Sequence, residues 1–175
     1  MKKMLAMLLA VLTLCFGAAA MAESVPEADA AAEQAALTDL TAEGQLIEAD
    51  GFQFYIPADW EQLELDDDDI AAGYVFAASS ADEENGMVIT YSALDAAMTA
   101  EELQAALVEV YPTATVQDLN GTSVVAFHDA EEDVLGIVVL DTVDPGYYIF
   151  QFIPASDADF VAVADAIASS YTAVQ

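Results

Sequence analysis

The stretch Gly51-Phe-Gln-Phe-Tyr-Ile-Pro-Ala-Asp-Trp60 decides the fold. Phe52, Phe54 and Ile56 fall on one face and Gln53 and Tyr55 on the other, which is the period of a half-buried strand. Pro57 ends the run, because proline has no N–H to give to a ladder. The same grammar recurs downstream. Tyr74 to Ala78 and Met87 to Ser92 are β-rich, and the turn signal Asp82-Glu-Glu-Asn-Gly86 between them predicts a hairpin. Thr99-Ala-Glu-Glu102 matches a capping box at a helix start. Leu103, Leu107, Val110 and Tyr111 follow at helical spacing, and Pro112 closes the element.

Beyond it, residues 114–119 and 122–128 flank Asn120-Gly121, a pair suited to the positive φ angles of a two-residue hairpin turn. Val134 to Leu140 and Tyr147 to Ile153 give two more strands across Asp141-Thr-Val-Asp-Pro-Gly146. From Ser156, a last helix places Phe160, Val163, Ala164, Ile167 and Tyr171 along one stripe. The expected order is β-β-β-α-β-β-β-β-α. With few connections long enough for parallel crossovers, the fold class is α+β: one mainly antiparallel sheet flanked by helices.

Upstream the pattern differs. Residues 23–46 are rich in Ala and Glu with few large apolar side chains, so they read as a linker or a marginal helix from about Glu27 to Leu40, ahead of one domain over 47–175. Before them, Lys2 and Lys3 precede the apolar run of residues 4–16, and Ala20-Met21-Ala22 offers a small-residue cleavage site. This is the layout of a secretory signal peptide over residues 1–22, with an apolar run shorter than the roughly 20 residues that span a bilayer. The expectation is a secreted or extracytoplasmic chain cut after Ala22.

That cut changes the chemistry of what remains. Of 175 residues, 32 are Asp or Glu and only Lys2 and Lys3 are Lys or Arg, so the formal charge of −30 becomes −32 once both lysines leave. Cys15 leaves with them. Disulfides, thiolate nucleophiles, Cys-ligated metals, lysine Schiff bases and side-chain phosphate clamps are all excluded from residues 23–175. Nucleic acid and anionic membranes are excluded as partners, because both require a basic surface. Divalent cations or a basic protein surface are the partners such a charge supports.

The phrase Phe52 to Trp60, an aromatic strand running into Pro57-Ala-Asp-Trp60, resembles the opening strand of PsbP-like and DcrB-like domains. The element order from about residue 47 to 173 is similar as well. The resemblance implies an α/β/α sandwich on an antiparallel sheet, in exported proteins or lipoproteins of the cell envelope. It implies no catalytic residue. Leu14 precedes Cys15, where a lipobox calls for a small residue, so lipidation at Cys15 is not expected.

Candidate chemistry is sparse. His128 is the only imidazole, so any Ser-His-Asp arrangement would need it, and no G-x-S-x-G turn accompanies it. It reads as a strand-end side chain. The run Asp66, Asp67, Asp68 and Asp69 reads as a solvated acidic loop that could bring two or three carboxylates onto Ca²⁺. Asp129, Glu131 and Asp133 have the alternate spacing of the first ligands of a calcium loop, but Val134 stands where its turn glycine belongs and Leu140 where its twelfth-position glutamate belongs. These seven carboxylates are the metal candidates; no cofactor is expected, and Ca²⁺ is the one ion such loops could hold. Trp60 and the strand aromatics Phe52, Phe54, Tyr74, Phe76, Phe127, Tyr147, Phe150 and Phe152 read as core. The expectation is a non-enzymatic binding module, with a carboxylate-dependent extracellular hydrolase and a structural accessory domain of an envelope assembly as the alternatives.

Overall fold

A computed structural model describes residues 39–49, 51–119 and 121–174, and element counts refer to these residues. The signal-peptide run, the proposed cut and most of the expected Glu27–Leu40 helix lie outside them. The described end of that segment, residues 39–43, is helical, and Leu40 is buried against the core. The elements are β1 (Gln45–Ala49), β2 (Phe52–Ile56), β3 (Glu61–Gln62), α1 (Asp67–Ala71), β4 (Tyr74–Ser79), β5 (Gly86–Ala93), α2 (Ala100–Leu107), β6 (Thr115–Leu119), β7 (Thr122–Asp129), β8 (Val134–Leu140), β9 (Gly146–Ile153), α3 (Ala158–Ser169) and β10 (Thr172–Ala173).

A seven-stranded sheet runs in the order β3-β4-β5-β9-β8-β7-β6, with every neighbouring pair antiparallel. A second sheet, β1-β2-β10, is also antiparallel. It lies with α3 over one face of the large sheet, while α2 covers β6 and β7 on the other. The mainly antiparallel α+β class is therefore correct. Its flanking layer on one side is part sheet and part helix.

Strand alternation builds the two interiors. Met87, Ile89, Val124, Ala126, Ile137, Val139, Phe150 and Phe152 point to the main core, where Phe52, Phe54 and Ile56 from β2 and Phe160, Ala164 and Ile167 from α3 meet them. Val125, Phe127 and Val138 point the other way, beneath Leu103 and Ala100 of α2. Phe52, Phe54 and Phe150 form one aromatic contact set with centroids 5.7 to 6.1 Å apart, within the range in which aromatic pairs add to area burial. Trp60 stacks on Phe160 at 6.0 Å, as a core residue. The loop that delivers it is held by Gln45, whose Nε2 donates to the carbonyls of Pro57, Ala58 and Trp60.

The expected hairpins β4–β5 and β6–β7 form, and the two further strands β8 and β9 pair as a third. Asn120 lies outside the described residues; Gly121 beside it has φ +85°, and its N–H donates to Asp118. The capping box is present: Thr99 Oγ1 accepts from Glu102 N–H and the Glu102 carboxylate accepts from Thr99 N–H.

Several expectations change. β1, β3, α1 and β10 are additional, so the order is β-β-β-α-β-β-α-β-β-β-β-α-β. β1 begins at Gln45, two residues inside the segment read as linker, because pairing with β2 organises it. The run Asp66–Asp69 is a helix start and not the solvated loop expected. Asp66 caps α1, and Asp67, Asp68 and Asp69 occupy its first turn, where negative charge suits the helix dipole. Val110 leaves the expected apolar stripe, because α2 ends at Leu107 and the following turns expose it. Tyr147 faces the α2 side, half-buried; its neighbour Tyr148 faces the main core.

Candidate functional site

A groove of about 830 Å³ opens where the β1–β2 turn, the β8–β9 loop and the chain after β10 converge. Its lining includes Glu48, Gly51, Asp141, Val143, Asp144, Tyr148 and Val174, with Phe52 beneath. Each part follows from local sequence. Gly51, at φ +85°, turns β1 into β2, a conformation that L side chains rarely adopt. Val174 N–H donates to Gly51 O at 2.9 Å and ties the chain after β10 to that turn. Asp141 N–H donates to Gly146 O and closes the β8–β9 hairpin. Within the loop, Asp141 Oδ1 accepts from Val143 N–H at 2.8 Å and Asp144 N–H at 3.4 Å, leaving Val143 and Asp144 exposed.

Two of the lining residues are aromatic, Tyr148 and the almost wholly buried Phe52, and further rings pack behind them. Tyr148 sits 4.6 Å from Phe52 and 4.9 Å from Tyr91, and Phe52 lies 5.7 Å from Tyr171. The register explains the row: Tyr91 of β5 pairs with Tyr148 of β9, and β2 delivers Phe52 from the layer above. Desolvation, followed by the Asp141 and Asp144 carboxylates, raises the Tyr91 phenol above its ordinary value. Desolvation and Asp141 raise Tyr171 in the same direction. Asp141 therefore acts electrostatically on both flanking tyrosines. The groove offers negative charge beside π-faces and contains no cation of its own, a combination that attracts positive ligands. Among its lining residues are no Ser, Cys or His to serve as a nucleophile or an imidazole base.

The carboxylates singled out as calcium candidates lie elsewhere. Asp66 Oδ1 accepts from Asp68 and Asp69 N–H groups at 2.9 Å, while Asp69, buried, accepts from Asp66 N–H at 3.0 Å. Asp67 and Asp68 are exposed on α1. Asp129 Oδ1 accepts from Glu131 and Glu132 N–H groups, and Asp133, at φ 56°, accepts from the Ser156 hydroxyl. Glu131 is exposed. The two sets do not converge, and among the described residues no three of His, Cys, Asp and Glu form a metal-holding group. His128 is exposed near the end of β7, and its backbone N–H and C=O both bond the Thr113 hydroxyl. Of the aromatics read as core, Phe52 belongs to both core and groove.

Sequence reasoning missed the groove because its parts are scattered. Asp141–Gly146 read only as a turn. The alternation Tyr148, Phe150, Phe152, continued to Tyr91 across the β5–β9 pair, was the one available signal.

No family model matches the sequence, and no curated protein matches it. Among solved structures, the fold is similar to a protein of Bacteroides thetaiotaomicron, at 13% identity and a TM-score of 0.54 over 76% of this chain. The chain spans about half of that protein's length, 49%. It is likewise similar to cyanobacterial PsbP (CyanoP) from Synechocystis sp. PCC 6803, at 15% identity and a TM-score of 0.53, covering 76% of this chain and 94% of that one. At such identities the likeness is one of fold, and the fold of this chain is PsbP-like.

Proposed function

We propose that the chain is an exported, strongly acidic, non-enzymatic module that binds a basic protein partner. The observation that carries this reading is the charge distribution: 32 acids against two lysines, both of which stand at positions 2 and 3 within the signal-like run. Like charges interspersed with no counter-charge raise a negative field over the whole surface, which steers cationic partners and repels anionic ones. The groove beside Asp141 gives that field a concave, aromatic-lined place to act. Among the described residues no helix is long and apolar enough to cross a membrane. Export itself rests on the leader-like residues 1–22.

The test is capture. The immobilised chain, incubated with culture supernatant of the producing organism, retains basic proteins at low ionic strength and releases them at high salt. If the retained set is indifferent to salt, or contains no basic protein, the reading fails.

A further inference from the structure

The groove has more than charge to recommend a particular ligand chemistry. A bare divalent cation prefers six to eight oxygens. Here one of the three lining carboxylates, Asp141, already accepts backbone N–H groups, and the other two, Glu48 and Asp144, come from separate segments. An anion meets only carboxylates. A ligand with a positive head and an apolar stem meets a match for both. The lining holds Asp144, Glu48 and the Tyr148 ring for such a head, and Val143, 66% exposed, and Val174, 45% exposed, for such a stem. Large apolar side chains left in water on both banks of a groove are the feature that electrostatics alone leaves unexplained.

We propose that this groove takes the side chain of a lysine or arginine on a basic peptide segment, with the ammonium or guanidinium between Asp144, Glu48 and the Tyr148 face and the methylene stem between Val143 and Val174. The assignment rests on the acidic-module reading and narrows it to one site. The volume of about 830 Å³ exceeds one side chain and suits a short stretch of the partner. The half-buried Tyr148 ring, held between Phe52 and Tyr91, supplies a cation–π face, which such heads favour within about 6 Å of a ring centroid. The raised phenols of Tyr91 and Tyr171 agree with a locally negative, partly desolvated setting.

The probe is fluorescein-labelled hexalysine, titrated against the purified chain by anisotropy at low salt. Three proteins are compared: the parent, the groove variant Glu48→Gln/Asp144→Asn, and a charge-matched control, Glu101→Gln/Glu109→Gln, whose exposed carboxylates lie on and just beyond α2. The expected result is a Kd about fivefold weaker or more for the groove variant and changed less than about twofold for the control. Hexalysine acetylated on every ε-nitrogen should lose binding to the parent. Ring-proton NMR shifts of Tyr148 and Tyr91 on titration locate the head in the groove. Equal weakening in both variants, or shifts confined to other residues, overturns the groove while leaving the acidic-module reading intact. Failure of the parent to bind the unmodified peptide at low salt overturns both. Matching thermal melts of the three proteins show that a lost signal is not a lost fold.

Discussion

At the scale of the residue, the acidic side chains are structural acceptors as much as charges. Asp82 accepts from the Ser80 hydroxyl and Glu84 N–H, and Asp157 from Asp159 and Phe160 N–H groups, as Asp66, Asp129 and Asp141 do at their own turns. With no lysine or arginine after residue 3, backbone N–H groups stand in for the missing counter-ions. The hydrogen bond from Ser80 is the largest cause holding the Asp82 carboxyl below its usual value. Asp141 has the opposite effect on its tyrosine neighbours. Because the folded Tyr91 and Tyr171 phenols lie above the unfolded value of about 10, their contribution to stability is fully present below pH 10. It is lost as pH rises through their folded values. Asp141→Asn should bring both transitions to lower pH in a phenolate absorbance titration while keeping the Oδ1 acceptor of the turn; an unchanged curve would show that Asp141 does not act on them.

Gly136 offers a second residue-scale test. It faces Phe127 across the β7–β8 pair, and a β-carbon there would overlap the Phe127 ring. That ring cannot readily yield, since it is stacked on Tyr111 at 3.9 Å and 13°. Gly136→Ala should therefore destabilise by about 1–3 kcal/mol in denaturant unfolding, the usual scale of overpacking. A neutral outcome would mean that the Tyr111–Phe127 stack moves freely.

At the scale of the element, the helix caps give the sharpest expectation. Asp66 supplies an acceptor to two N–H groups of α1. Asp66→Ala should destabilise by about 1 kcal/mol, and Asp66→Asn much less, because the amide oxygen can still cap. Equal losses from both substitutions would point to charge instead of capping. The capping box at Thr99, the three long hairpins and the apolar stripe of α3 were legible in sequence because each is specified within its own few residues. β3 and β10, at two residues each, have no local signal and exist only through pairing with β4 and β2. α1 was misread because four aspartates argue for solvent, whereas a helix start welcomes them. The groove was least legible: Tyr91, Phe52 and the Asp141–Tyr148 segment come from three separate stretches, and only the β5–β9 pairing and the packing of β2 over that sheet bring them together.

At the scale of the molecule, a net charge of −30, from 32 acids against two lysines, opposes compaction. Raising ionic strength from about 0.01 M to 0.1 M shortens the screening length from about 30 Å to 10 Å. The melting temperature should rise over that range, and a flat or falling profile by calorimetry would refute self-repulsion as a destabilising force.

The same charge bears on β6. Among the described residues this strand ends the seven-stranded sheet, pairs only with β7, and presents Thr115, Gln117 and Asp118 to solvent. An open edge is a template on which a further chain could polymerise. Two copies approaching edge to edge would each bring a large negative charge, so coulombic repulsion opposes that pairing at neutral pH. That protection is colloidal rather than built into strand geometry. It weakens as the solution nears the isoelectric point of about 4.1, where neutral copies can meet along β6 and grow a continuous sheet.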